Sequence, residues 1–176
     1  MKKVICLILF LAVSFSFIAD EPSITWKNTH RLSWKDFRGT PDNSSDIAAI
    51  TASGISYELA ATIAGSKVDV DCKVAAFFYP EKSWYKKELA DSVVLAHEQL
   101  HFDITELHAR KFRKAIERTT FTENVKQEMK RLYDNINKEL DAYQNRYDTA
   151  TDYSRDIEKQ TEWGIKVAKD LKKYNY

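Results

Sequence analysis

Two histidines and a glutamate stand within five residues of one another in the middle of the chain: His97, Glu98 and His101, in the order His-Glu-Gln-Leu-His. If this segment is helical, the two imidazoles lie one turn apart, about 40° around the axis and about 6 Å along it. Side chains placed in this way can bind one metal ion, and histidine is a preferred ligand of zinc. Glu98 would then lie close enough to accept a proton from a water molecule that the metal activates.

The same five residues also fit two purely structural roles. They could be a solvated surface pair, or buried neutral histidines that are hydrogen-bonded to carboxylates. The apolar residues Val93–Ala96 lead directly into His97, and the uncharged Phe102 follows the motif, so a solvated helix face is disfavoured. The pattern therefore favours a metal site with Zn2+ as the cofactor.

The two remaining histidines are not expected to bind this metal. His108 follows His101 by seven residues, with no intervening glycine to bend the helix back, and we predict a partly exposed position for it. His30 belongs to the N-terminal half, where we expect a loop or a strand edge.

The N-terminal half of the chain has the composition of a β-sheet. Residues 23–80 alternate apolar and polar positions and are interrupted by turn formers such as Gly54 and Pro80. Val68, Val70, Cys72 and Val74 would share one face of a strand. We predict a small, mostly antiparallel sheet.

The C-terminal half has helical spacing, which makes the fold class α+β: a sheet followed by three long helices. The first helix is expected to begin between Ser83 and Asp91 and to end near Arg118. A capping box at Thr120–Glu123 would start the second, and Asp152 or Ser154 would cap the third. The second helix carries an apolar stripe: Val125, Met129, Leu132, Ile136, Leu140, Tyr143 and Tyr147. The third carries Ile157, Trp163, Val167 and Leu171.

Residues 1–19 have the features of an export signal, with a basic start at Met1–Lys3 and an apolar run from Val4 to Val13. The cleavage point is uncertain. A retained membrane anchor is the alternative, although about 16 apolar residues are short for a span that needs about 20. The rest, residues 20–176, has the size of a single domain. We expect an exported protein, periplasmic or secreted, with no membrane span after leader removal.

Composition excludes some partners. The chain has 27 basic and 26 acidic residues, so no excess charge attracts nucleic acid or anionic lipid in general. Once the leader is removed, Cys72 is the single cysteine, which rules out an intrachain disulfide; we interpret it as a small, buried residue on a strand.

Three segments of the chain resemble the predicted bacterial secreted zinc-dependent protease family, whose motif groups it with zincin-type metallopeptidases. They are LAHEQLHFDITELHAR (95–110), LSWKDFRGTP (32–41) and YDTATDYSRDIEKQTEW (147–163). The resemblance implies a zincin-like fold, zinc binding by His97 and His101, and a catalytic base at Glu98.

One position departs from the family pattern. Many members have a histidine, the natural third ligand, where this chain has Tyr153. A neutral phenol is a weaker metal ligand than an imidazole. We predict Tyr153 as the third ligand because it stands at that position; the alternative for this residue is a plain packing tyrosine. Because its phenol is a weaker donor, Asp148 and Asp152 remain alternative ligands, since either carboxylate could supply an oxygen.

Two functions are consistent with these residues. The first is an exported zinc metallopeptidase acting on a peptide or protein substrate, which an exposed sheet edge within residues 73–80 could hold as an added strand. The alternative is a non-catalytic envelope or secreted binding module that retains a zincin scaffold, suggested by the replacement of the late histidine.

Overall fold

The computed structural model describes residues 21–64 and 67–174. The predicted signal peptide, residues 1–19, lies outside the described residues. The elements follow one another in this order: β1 (Ile24–Thr25), a 3-10 turn (Trp34–Asp36), β2 (Ala49–Ile50), β3 (Ser53–Ala64), β4 (Lys67–Phe78), β5 (Trp84–Tyr85), α1 (Ser92–Glu117), α2 (Val125–Ala150) and α3 (Ile157–Lys173). The predicted α+β arrangement, a small antiparallel sheet followed by three helices, is confirmed.

The sheet is built on one long hairpin. β3 and β4 pair antiparallel along their whole length, with Ile55 opposite Ala76 and Tyr57 opposite Val74, and β1 adds to the other side of β4. Successive side chains of a strand point to opposite faces, and in β4 the even-numbered residues face the helices. This confirms the predicted inner face that includes Cys72, although Cys72 itself is partly exposed rather than buried as predicted.

The edge within residues 73–80 that we considered for a substrate is already occupied. β1 pairs with Phe77 and Phe78, the amide of Trp26 donates to the carbonyl of Ala76, and the guanidinium of Arg113 donates to the carbonyl of Val74. The backbone groups that an added strand would need are therefore taken by the chain itself, and that part of the prediction is wrong.

Helix α1 lies at the centre of the fold. Asp91 caps it by accepting hydrogen bonds from the amides of Val93 and Val94, each at 2.8 Å, within the range expected for its start. The helix packs against the sheet, α2 and α3, so every residue from Leu100 to Ala109 is buried. This burial explains the apolar Leu100 and Phe102 beside the histidine pair, whereas the buried acids Asp103 and Glu106 are paired with arginines.

Helix α2 packs on α1 through the predicted stripe. All of its members are buried except Leu132, which is partly buried. The predicted capping box at Thr120–Glu123 is wrong: the helix begins after Asn124, and the carboxylate of Glu128 accepts from the amide and hydroxyl of Thr122 instead.

Helix α3 begins later than predicted. Asp156 caps it by accepting from the amide of Lys159 at 2.9 Å, because Asp152, Tyr153 and Ser154 all have positive φ and form a left-handed turn that separates α2 from α3. Ile157 is consequently 59% exposed rather than packed. Among the described residues, no helix is long and apolar enough to cross a membrane.

Candidate metal centre

The two histidines of the motif point from α1 toward α2. Their Nε2 atoms are 3.2 Å apart, as expected for residues one turn apart on a helix. His97 is only 4% exposed and His101 is 9% exposed. The solvated-surface interpretation of the pair is therefore wrong.

A carboxylate from α2 completes a triangle of donor atoms. Asp148 lies in the last turn of α2, and its Oδ1 is 3.1 Å from the Nε2 of His97 and 2.8 Å from that of His101. Its side chain is 22% exposed, so one side of the cluster is open to solvent. Among the described residues, His97, His101 and Asp148 form the group of histidine, cysteine and acidic side chains able to hold a metal ion.

The separations fit a zinc ion. Ligand atoms around tetrahedral zinc, with bonds of about 2.0–2.2 Å, are separated by about 3.3–3.6 Å. The three donor atoms lie 2.8–3.2 Å apart, a few tenths of an ångström closer. An outward shift of a few tenths of an ångström would give the zinc spacing.

The electrostatics of the cluster also favour a cation. Burial would lower the pKa of His101, but the hydrogen bond with Asp148 and the charge of Glu98 outweigh it and raise that pKa. Burial of the Asp148 carboxyl is likewise outweighed by hydrogen bonds from His101 and His97, which hold its pKa well below the usual range. Positive charge at this point, from a proton or a metal, is therefore stabilised.

Glu98 lies beside the cluster and is 5% exposed. Its negative charge contributes to raising the pKa of both His101 and Tyr147. Its own backbone carbonyl accepts a hydrogen bond from the hydroxyl of Thr51 at 3.1 Å. This contact ties the motif to the segment between β2 and β3.

The ring of Tyr147 packs against both imidazoles. Its ring stacks on His97 with centroids 4.5 Å apart and meets His101 edge-on at 5.2 Å, and Trp163 of α3 packs behind it at 5.5 Å. Burial, with the charges of Glu98 and Asp148, raises the pKa of Tyr147 above its usual range, so the phenol stays neutral. We assign it a positioning role.

The opposite face of the motif anchors the N-terminal segment. Asp103 accepts hydrogen bonds from the indole of Trp26 and the guanidinium of Arg31, both at 2.8 Å, and Gln99 accepts from the amide of Leu32 at 2.7 Å. Sequence analysis missed these two positioning residues. The sequence signal that could have identified them is their spacing: two polar residues four apart on an otherwise buried helix face need hydrogen-bond partners.

Tyr153 and Asp152 lie in the exposed turn after α2. Tyr153 is 62% exposed, and its ring faces the guanidinium of Arg155 at 6.0 Å. Asp152 forms an ion pair with the same arginine at 2.9 Å. Of the three candidates for the third ligand, Asp148 is the one that the structure brings against both histidines.

His108 is not the partly exposed residue that the sequence predicted. It is 1% exposed, and its Nδ1 donates to the carbonyl of Ile104 at 2.8 Å. That prediction is wrong because α2 covers this part of α1, with Tyr143 packed against the imidazole. His30, in contrast, is exposed on a loop, as expected.

Residues 80–155 match the model of a bacterial protein family of unknown function, DUF922. This part of the chain is similar to DUF922. The matched segment contains the histidine pair, Glu98, Asp148 and Tyr153, and therefore the whole candidate centre. No curated protein and no solved structure matches the chain. The bacterial character of the resemblance is confirmed; the family description assigns neither a metal nor a reaction.

Proposed function

We propose that the protein is an exported zinc-dependent metallopeptidase with a zincin-like active site. In this proposal His97, His101 and Asp148 bind the metal, and Glu98 is the general base. The observation that carries it is the convergence of two imidazole nitrogens and one carboxylate oxygen beside a buried glutamate. Three protein ligands leave one coordination position open, which is typical of catalytic rather than structural zinc sites.

The choice of Asp148 over Tyr153 follows from the contacts. The carboxylate already contacts both imidazoles, whereas the ring of Tyr153 faces Arg155. An ionised carboxylate is also a better zinc ligand at neutral pH than a phenol whose proton must first be lost.

The reaction assigned to these residues is hydrolysis of a peptide bond. Zinc, when bound, would lower the pKa of a water molecule toward neutrality and polarise the scissile carbonyl. Glu98 would accept the water's proton as the oxygen bonds to the carbonyl carbon, and would pass it to the leaving amine as the C–N bond breaks. Glu98 follows His97 directly on a helix that also carries His101, and all three side chains are buried.

The alternative, a non-catalytic binding module, was suggested by the replacement of the late histidine. Asp148 supplies a donor from another position, so that replacement no longer argues against a complete ligand set. We therefore prefer the enzyme. Export still rests on residues 1–19 of the sequence.

Zinc content and hydrolysis together test the proposal. The protein would be purified without added metal, analysed for zinc by mass spectrometry, and assayed on a mixed fluorogenic peptide library before and after chelation. Stoichiometric zinc whose removal abolishes hydrolysis supports the enzyme. Bound zinc without hydrolysis of any peptide favours the binding module, and a protein that takes up no zinc contradicts the metal site in both.

A further inference from the structure

A pocket lies at the interface between α1 and α2, away from the metal centre. Its volume is about 260 Å³, and it is lined by residues of α1 and α2: His108, Lys111, Lys138, Glu139, Ala142, Tyr143 and Arg146. His108 follows His101 by seven residues, which corresponds to about 10 Å along the helix. The pocket is therefore separate from the proposed metal ligands.

Positive charge is concentrated around this pocket. The Nζ atoms of Lys111 and Lys166 and the guanidinium of Arg146 lie 5.3, 5.0 and 5.3 Å from the centroid of the Tyr143 ring. Three cations around one ring are within about 10 Å of one another, close to the screening length at ordinary salt. They repel one another and together produce a positive potential in the pocket.

Most of this charge has no acidic partner in the described part of the chain. Lys166 pairs with Asp170 at 2.8 Å, but no ion pair of the described residues involves Lys111, Lys138 or Arg146. Glu139 is the one acid among the lining residues. The pocket thus carries an excess of positive charge: Lys138 and Arg146 are exposed, and Lys111 is half-buried. A counter-ion would stabilise the half-buried ammonium of Lys111 in particular.

The protonation of His108 reflects its burial and these neighbouring charges. Burial lowers the pKa of His108 to about 4, and the charges of Lys111, Arg146 and Lys166 add to the effect. The Nδ1 of His108 donates to Ile104, so its Nε2 is left as an acceptor that faces the Nζ of Lys111 at 3.4 Å. The histidine therefore stays neutral and holds Lys111 at the pocket wall.

We propose that this pocket binds a phosphate group, with Lys111 and Arg146 as its principal ligands and Lys138 at the rim. Lysine and arginine bind phosphate through charge-assisted hydrogen bonds, and arginine can do so with two parallel bonds. A phosphate carries more charge and more acceptor oxygens than chloride, so it matches several convergent cations better. The volume admits a phosphate ester as well as the free ion. The proposal does not depend on the metal centre.

Calorimetric titration of the full chain with inorganic phosphate tests this site, with sodium chloride at matched ionic strength as the salt control. Arg146→Gln removes one ligand at an exposed position and should weaken phosphate binding about tenfold or more, as expected for a charge-assisted contact. Lys126→Gln removes the same charge from an exposed position of α2 outside the pocket and should leave the affinity within about twofold. Glu139→Gln removes the opposing charge and should tighten binding.

A second arm identifies the source of the phosphate group. Phosphatidylcholine vesicles with and without phosphatidic acid would be sedimented with the wild-type protein and with the Arg146→Gln and Lys126→Gln variants. Binding of inorganic phosphate that depends on Arg146 supports the pocket and shows that the free ion suffices. Binding only to phosphatidate vesicles, with the same dependence, supports it with a lipid headgroup as the source. The proposal is overturned if the wild-type protein binds in neither arm. It is also overturned if the Arg146→Gln and Lys126→Gln variants bind with equal affinity.

Discussion

The interface between α1 and α2 has two ends, and each end places a histidine of α1 against a tyrosine of α2. At the first, His97 and His101 pack on Tyr147. At the second, His108 packs edge-on against Tyr143 at 5.2 Å. The residue types and the packing are alike, so any chemical difference must come from the surroundings.

The surroundings have opposite charge. Glu98 and Asp148 lie beside the first end, and the pKa of His101 is raised despite its burial. Three cations lie around the second end, where burial, together with the charges of Lys111, Arg146 and Lys166, lowers the pKa of His108 to about 4. The same histidine–tyrosine contact therefore lies in a site that favours a cation at one end and in a site that favours an anion at the other. The charged neighbours, rather than the histidine–tyrosine contact, decide which.

The prediction with the largest expected effect separates catalysis by Glu98 from zinc binding at the first end. Glu98→Gln should lower peptide hydrolysis about a hundredfold to ten-thousandfold, because an amide cannot accept the proton, while zinc content stays unchanged. Glu117→Gln, at an exposed position near the end of the same helix, is the matched control and should keep wild-type turnover. Full activity in the Glu98 variant would remove it from the mechanism.

The second prediction concerns the third ligand. Asp148→Ala should reduce zinc affinity by more than the roughly 10–100-fold that loss of an outer-shell partner costs, because a direct donor is removed. Tyr153→Phe should change it less than about threefold, since its ring lies in the exposed turn. Competition with a chromophoric chelator measures both. The reverse ranking would return Tyr153 to the ligand set.

The third prediction uses pH to probe the second end. Unfolded His108 binds a proton below its ordinary pKa of 6.5, whereas the folded residue does so only near pH 4. His108 therefore leaves the free energy of unfolding unchanged above pH 7. As the pH falls from 6.5 to 4, it lowers that free energy by about 3 kcal/mol in total. Below pH 4 both states are protonated and the loss stops growing.

Denaturant unfolding of the wild type and of His108→Asn at pH 7 and pH 4 measures this loss. Asparagine keeps a donor for the carbonyl of Ile104 but does not titrate. The difference in unfolding free energy between the two pH values should be about 3 kcal/mol smaller in the variant. Equal pH dependence in both proteins would mean that folding leaves the pKa of His108 unchanged.

The smallest effect compares the two tyrosine hydroxyls. The Tyr143 hydroxyl accepts from the ammonium of Lys166 at 2.7 Å, whereas the Tyr147 hydroxyl makes only a 3.5 Å contact with the carbonyl of His97. Tyr143→Phe should lower the unfolding free energy by about 1 kcal/mol and Tyr147→Phe by less than that. Thermal unfolding gives the comparison; an equal or reversed order would show that the two contacts do not differ in strength.

Much of the fold could be predicted because its signals are local. Alternation along β4 predicted its inner face, and the spacing from Val125 to Tyr147 predicted the packed face of α2. The errors have two sources, one local and one long-range. The start of α3 depends on the left-handed turn at Asp152–Ser154, and the availability of the β4 edge depends on β1.

The candidate site divides in the same way. The spacing of His97, Glu98 and His101 by itself determined that two imidazoles and a carboxylate would share one turn, because helix geometry fixes neighbours three and four residues apart. Only the tertiary structure decided that Asp148, fifty residues away, meets them, and that cations cover His108. Those contacts depend on the register between α1 and α2, which the packing of whole side-chain surfaces sets and no short stretch of sequence encodes.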